Sequence, residues 1–252
     1  MSFREELGLR NEFLIVHSGN MGVKQGLEVI LNAAQLSQDD KSLHYLLVGD
    51  GAVRDQLQDR AKEMNLSNLR FLPLLPDERF RELLITSDVN LITQQKCVAD
   101  IVFPSKVITL MAAGRAIVAS VSPTSEVARV LSGAKAGLVV PAEDPVGLMK
   151  AVTVIRDDTS LRNEIARNAR EFARRNWDRD TILAGMEAQL YALIAGGGVK
   201  GAYGKQVWRL TRSRLREVAA SIRGDRRKSP SSVVDIGDQS QRSDEYRKSE
   251  WR

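Results

Sequence analysis

Two short stretches carry residue types suited to holding a phosphate. The first is Gly19-Asn20-Met21-Gly22 with Lys24 after it. The second is Pro104-Ser105-Lys106, followed by Met111-Ala112-Ala113-Gly114. Glycine lets the backbone come close to an anion, free N–H groups at a helix start point at it, and lysine adds positive charge. Proline at a helix start sacrifices no hydrogen bond. Alone, the first stretch favours an anion site over a tight strand–helix connection, and the second suits a simple helix cap as well as an anion site. The first is GxxG, which is neither GxGxxG nor a Walker A loop. Two helix starts in one sheet can converge on one ligand with two phosphates, and that raises the weight of both. Gly49-Asp50-Gly51 reads as a turn rather than a contact, with Gly51 letting the chain leave its strand.

Other chemistries find less support. His17 and His44 are the only histidines, and both lie in or beside apolar strands. A core histidine, or one behind a site, is the expectation for each. With one cysteine, Cys97, there is neither an internal disulfide nor a cysteine-based zinc site. No Ser/His/Asp or Cys/His arrangement is visible from spacing. Asp100 is the one acid in a candidate ligand loop with apolar neighbours. It suits sugar hydroxyls or plain solvation equally.

The elements that position these residues alternate in kind. Strands are expected at Phe13–Val16, Leu43–Val48, Leu69–Leu72, Val89–Ile92, Ala116–Ser120 and Ala136–Val140. Helices are expected at Gly26–Ser37, Val53–Met64, Glu78–Thr86 with Asp77 as cap, Pro104–Ala113, Ser125–Leu131, Pro145–Arg156, Leu161–Asn176 and Arg179–Ala195. Strand–helix alternation in short units means an α/β fold, a single Rossmann-like doubly wound parallel sheet. Ligands of such sheets sit outside the carboxyl ends of the strands. The loops that matter are therefore Ser18–Lys24, Gly49–Ala52, Leu72–Pro76, Thr93–Lys106 and Ser120–Ser125.

The 252 residues, 43% of them apolar, suffice for one large domain with appendages. Residues 1–12 read as a lead-in linker or short helix, and 13–195 as the folded domain. Residues 196–252 read as a basic tail, partly helical and then disordered. The net charge of +5 is unevenly spread. Residues 200–228 alone carry about +8, so the remainder is slightly acidic. Gly196-Gly197-Gly198 suits a hinge, and Lys205–Arg223 a helix bearing Trp208, Leu215, Val218 and Ile222. No apolar run has the ~20 residues of a membrane span, and the first residues lack a signal-peptide pattern. A cytoplasmic location is expected.

Five blocks occur in order from about Glu12 to Tyr191: HSGNMGVKQGLE, LLVGDGAVRDQL, NLRFLPLLPDERFRELLITSDVNLI, VFPSKVITLMAAGRAIVAS and AKAGLVVPAEDPVGLMKAV. Together they resemble the C-terminal, nucleotide-sugar-binding domain of GT-B glycosyltransferases of family 4, in the exopolysaccharide and colanic-acid-type subset. The resemblance implies that Gly19, Asn20, Gly22 and Lys24 bind the donor diphosphate, and that Lys24 has the catalytic role of neutralising the leaving phosphate. Asn20 stands where an arginine is common. Pro104, Ser105 and Lys106 would complete the diphosphate site. Backbone at Leu72, Pro73 and Leu74 would hold the nucleobase, and Asp100 and Phe103 the sugar. The family's two-glutamate motif falls on Ile101 and Thr109, so neither glutamate is present. Trp177-Asp178 is similar to the segment that returns toward the N-terminal domain.

The implied chemistry is retaining hexosyl transfer from a UDP- or GDP-sugar, with no cofactor and no metal, to a polysaccharide or lipid-linked acceptor. An acceptor-binding domain or chain is expected to be supplied separately, since none of the five blocks corresponds to one. A non-catalytic nucleotide-sugar-binding or scaffolding module is the alternative. An epimerase of the same fold would need acids and histidines in the cleft. Residues 200–228 would suit an anionic membrane surface at the inner face of the membrane, and nucleic acid is not an expected partner.

Overall fold

The computed structural model describes residues 3–98 and 105–194. Asp100, Phe103, Pro104, the triglycine hinge and the basic tail lie outside the described residues. Residues up to Ala184 form one compact unit. Gly185 onward belongs to a second, of which the end of one helix is described.

The described chain runs α1 (Phe3–Glu6), β1 (Phe13–Ser18), α2 (Glu28–Leu36), β2 (Leu43–Val48), α3 (Arg54–Glu63), β3 (Leu69–Leu72), α4 (Asp77–Thr86) and β4 (Val89–Thr93). It continues with α5 (Ser105–Ala113), β5 (Ala116–Val121), α6 (Glu126–Gly133), β6 (Leu138–Pro141), α7 (Pro145–Asp157), α8 (Thr159–Asn176) and α9 (Arg179–Ile194). The strands form one six-stranded sheet in the order β3-β2-β1-β4-β5-β6, every pairing parallel. The expected doubly wound sheet is therefore present. Strand order reverses between β1 and β4, where Ile15 pairs with Val89 and Val16 with Asn90. In such folds the crevice at that reversal takes the ligand.

Both faces of the sheet are covered, so the strands read as apolar runs rather than alternations. Phe13 and Ile15 of β1 join a core with Ile30 and Leu31 of α2 and Val152 and Ile155 of α7. Leu14 and Val16 face the other way, onto Phe3, Leu7, Leu9 and Leu83. Beyond β4, Ile117 and Ala119 pack on Val107 and Met111 of α5 and Ala169 of α8.

Several boundaries differ from expectation for identifiable reasons. The segment 1–12 looked like a lead-in because its charges outnumber its apolar residues. Phe3, Leu7 and Leu9 nevertheless bury themselves against β1. Arg4 locks the segment down, donating to Glu12 O at 2.7 Å, to Thr86 O at 3.3 Å and to the Asp88 carboxylate. Asp88 in turn accepts from the Leu14 N–H at 2.8 Å. Helix α2 starts at Glu28 rather than Gly26, because Gly26 adopts φ +56° and closes a 3-10 turn over Val23–Gln25. Asp77 is the first residue of α4 and not its cap, a place where a carboxylate still complements the helix dipole. Ser125, Asp144 and Asp158 do cap α6, α7 and α8, accepting from Ala128, Gly147 and Leu161.

Candidate functional site

The carboxyl ends of β1 and β4 open into a cavity of about 490 Å³. Ser18, Gly19, Asn20, Lys24 and Gln25 come from β1 and the turn after it. Ile92, Thr93, Gln94 and Val98 come from β4 and its loop, and Ser105, Lys106, Thr109 and Leu110 from α5. Phe80 reaches in from α4. The two stretches singled out for phosphate chemistry thus face one space, although about eighty residues separate them. The reversal of strand order is what brings them together.

The turn after β1 is held by the neighbouring turn after β2. Gly19 N donates to Val48 O at 2.8 Å, Met21 N to Asp50 O at 2.7 Å, and Val53 N to Met21 O at 3.0 Å. The approach is so close that a Cβ on Gly51 would lie 2.5 Å from Met21 O. Gly49-Asp50-Gly51 is therefore more than an exit from the strand. It is the brace that fixes the Gly19–Gly22 turn. Sequence reading missed this because the brace consists of backbone atoms, which leave no side-chain pattern.

Not all of the loop's N–H groups face the cavity. Gly22 N donates to Gln25 Oε1 at 3.1 Å, so this N–H, expected as an anion donor, serves the turn itself. Gly22 does not line the cavity. A 3-10 turn and Gly26 also separate α2 from the loop, so the start of α2 is not the helix terminus next to Lys24. Lys24 lines the cavity with an exposed side chain.

The second stretch is described from Ser105 onward, where α5 is already helical. The helix ends before Gly114, whose φ of +64° is the left-handed turn that ends a helix. Lys106 folds back over the first loop. Its Cε and Nζ lie 3.1 Å and 3.5 Å from where a Cβ on Gly19 would stand. Its Nζ is 3.3 Å from His17 Nε2. Burial pulls the Lys106 ammonium down to about 8. Burial, and then the charge of Lys106, hold His17 well below the usual histidine range. His44 sits away from this cavity on β2 as a core histidine, also lowered by burial and then by Arg70.

Leu72, Pro73 and Leu74 are not brought into this cavity. Strand β3 stands at the sheet edge, two strands from the reversal point. Leu72 lines a different cavity with Leu7, Leu66 and Arg70, and Leu74 is 67% exposed. Residues not singled out in advance include Thr93, buried with a hydroxyl that finds no partner, and Phe80, while Thr109, at one of the two glutamate positions, also lines the cavity. Thr93 stood at the edge of a flagged loop. Phe80 lies inside a helix and carried no signal. Among the described residues the cavity is lined by no acid, and no acid, histidine and cysteine cluster could hold a metal ion. No described helix is long and apolar enough to cross a membrane.

Residues 2–172 match the family model described as glycosyl transferases group 1. The chain is 32% identical over 185 residues to the putative colanic acid biosynthesis glycosyl transferase WcaI of Escherichia coli K12, covering 72% of this chain and 44% of that protein. It is 33% identical over 137 residues to the probable glycosyltransferase WbjE of Pseudomonas aeruginosa, covering 54% of this chain and 34% of that one. The chain thus spans less than half the length of these relatives. Among solved structures, Anabaena Alr3699/HepE in complex with UDP superposes with a TM-score of 0.65 at 22% identity, over 75% of this chain and 51% of that one. Sucrose-phosphate synthase from Thermosynechococcus elongatus superposes with a TM-score of 0.63 at 22% identity, over 77% and 49%. At these identities the superpositions speak for the fold. The family match, covering most of the chain, does more: this protein belongs to the group 1 glycosyl transferases.

Proposed function

We propose that this chain binds the nucleotide diphosphate sugar donor of a retaining glycosyltransferase, with the diphosphate in the cavity between β1 and β4. The observation that carries this is the convergence of Lys24 and Lys106 on one cavity at the point of strand reversal. The relative Alr3699/HepE has structures with UDP and with UDP-glucose, which supports a donor of that class. In transfer, the bond between the sugar C1 and the β-phosphate oxygen breaks, a bond from C1 to an acceptor oxygen forms on the same face, and the acceptor's hydroxyl proton passes to the departing β-phosphate oxygen. Negative charge gathers on the departing diphosphate. Two ammonium groups meet that charge, and the Lys106 ammonium, held beside His17, is already oriented, which lowers the barrier with little reorganisation. Lys24 is assigned the leaving phosphate, and Asn20 and Ser105 its remaining oxygens. The buried Thr93 hydroxyl is assigned a polar group of the donor, since it lines the cavity without a partner of its own.

The acceptor, of polysaccharide or lipid-linked type, would be held by a separately supplied domain or chain. The second reading is a nucleotide-sugar-binding module without turnover. Ile101 and Thr109, standing where the resemblance places the family's two glutamates, favour it. Saturation-transfer NMR with a panel of UDP- and GDP-sugars tests the donor site. Transfer to both nucleotide and sugar protons is expected, and no transfer from any of them would remove the proposal. Slow donor hydrolysis by the bound chain would separate the catalytic reading from the module.

A further inference from the structure

We propose that His17 is a positioning residue, whose imidazole accepts a hydrogen bond from Lys106 and holds that ammonium over the Gly19 turn, ready for the donor diphosphate. This deepens the donor reading and rests on it for its purpose, though not for its geometry.

His17 lies near the end of β1, is 1% exposed, and pairs in register with Leu47. Its neighbours along the strand, Ile15 and Val16, fill space with aliphatic groups. An imidazole is a costly replacement for them, because it carries two polar ring nitrogens into a place that is otherwise buried and largely apolar, with only the backbone of Leu91 and Asn20 near enough to help satisfy them. What the imidazole supplies that an aliphatic side chain cannot is Nε2, at 3.3 Å from Lys106 Nζ. An ammonium only donates, so Nε2 must be the acceptor and the proton of the neutral ring must sit on Nδ1.

Lys106 needs such a partner. It forms no ion pair among the described residues, and the other charged side chain lining the cavity is Lys24, also a cation. Its stem packs on Gly19, where the missing side chain makes room. A four-carbon stem with three rotatable donors would otherwise swing into solvent. The neutral imidazole anchors the ammonium without cancelling its charge, which a carboxylate would do. The positive charge thus remains available to the diphosphate.

The chain has only two histidines, so long-range proton–nitrogen spectra of the full chain resolve them. In the donor-free protein His17 is expected as the neutral ring protonated on Nδ1, and Lys106→Met is expected to shift its Nε2 resonance and loosen that tautomer. A ring protonated on Nε2, or a spectrum indifferent to Lys106→Met, would overturn the proposal. Calorimetry with UDP supplies the functional arm. His17→Leu is expected to weaken UDP about tenfold, His17→Gln less than about threefold, and His17→Leu nothing further once Lys106→Met is present. An equal loss with and without Lys106 would make His17 merely structural and overturn the proposal. If UDP binds no version, including the unaltered chain, the donor reading fails while the tautomer measurement still decides the pair. If His17→Leu does not fold, Lys106→Met and His17→Gln still give the answer.

Discussion

Gly49 faces the carbonyl oxygen of Gly19 so closely that a Cβ on Gly49 would stand 1.9 Å from it. The contact is backbone to backbone, so no side chain can turn aside to relieve it. Gly49 also adopts φ +142°, a region L-residues avoid. Gly49→Ala is therefore expected to cost about 3 kcal/mol or more, from both strain and the broken brace. Gly133, at the end of α6, has open space where its Cβ would go. Gly133→Ala is expected to be neutral or to stabilise by about 0.5 kcal/mol. Thermal melts of the two variants check this, and equal effects would contradict it.

The burial of Lys106 has a thermodynamic signature in the absence of donor. Its folded-state value of about 8 lies below the ordinary 10.5 of lysine. Between those values the unfolded chain binds more protons, so this group makes stability rise with pH across that window. Lys106→Met is expected to raise the melting temperature at pH 7 and to flatten that rise. Melts from pH 7 to pH 10 measure it, and a lower melting temperature for the variant at pH 7 would contradict it.

Donor affinity should carry the opposite pH trend. The Lys106 ammonium is present below about 8 and lost above it. UDP phosphates are already ionised above about pH 7. UDP affinity is thus expected to fall from pH 7 to pH 9, with protons taken up on binding near pH 8. Calorimetry in buffers of different ionisation enthalpy reads the uptake. A flat profile, or one unchanged by Lys106→Met, would place Lys106 away from the phosphate.

Much of this architecture could be read from residues whose neighbours in sequence are also their neighbours in structure. The strands Leu43–Val48 and Leu69–Leu72 appear with their expected bounds, because a short apolar run ended by turn residues reads locally. Gly19, Asn20, Lys24, Ser105 and Lys106 were singled out together, and they line one cavity. The role of Gly49 was not legible, since it depends on a carbonyl thirty residues away. Nor was the pairing of His17 with Lys106, which crosses from a strand to a helix. The buried start of the chain was hidden because three apolar residues, Phe3, Leu7 and Leu9, were outnumbered by charges that stay at the surface.

The basic segment 200–228, which lies outside the described residues, supports one more prediction. Each basic residue near an anionic bilayer contributes about 1 kcal/mol, so the full chain is expected to sediment with anionic vesicles at low salt and to be released by salt. A version ending at Ala195 is expected to stay in the supernatant. Retention of both in the supernatant would contradict it.

The central claim, that the cavity between β1 and β4 holds a donor diphosphate through Lys24, is tested most directly by calorimetric titration of UDP- and GDP-sugars. The unaltered chain and Lys24→Ala are compared, each with and without a chelator. At least one nucleotide sugar is expected to bind the unaltered chain at up to millimolar concentration, equally in chelator. Lys24→Ala is expected to lose about 1.5–3 kcal/mol of that affinity, at least about tenfold, with an unchanged melting temperature. No binding by any nucleotide sugar, or equal affinity in the variant, would contradict the account.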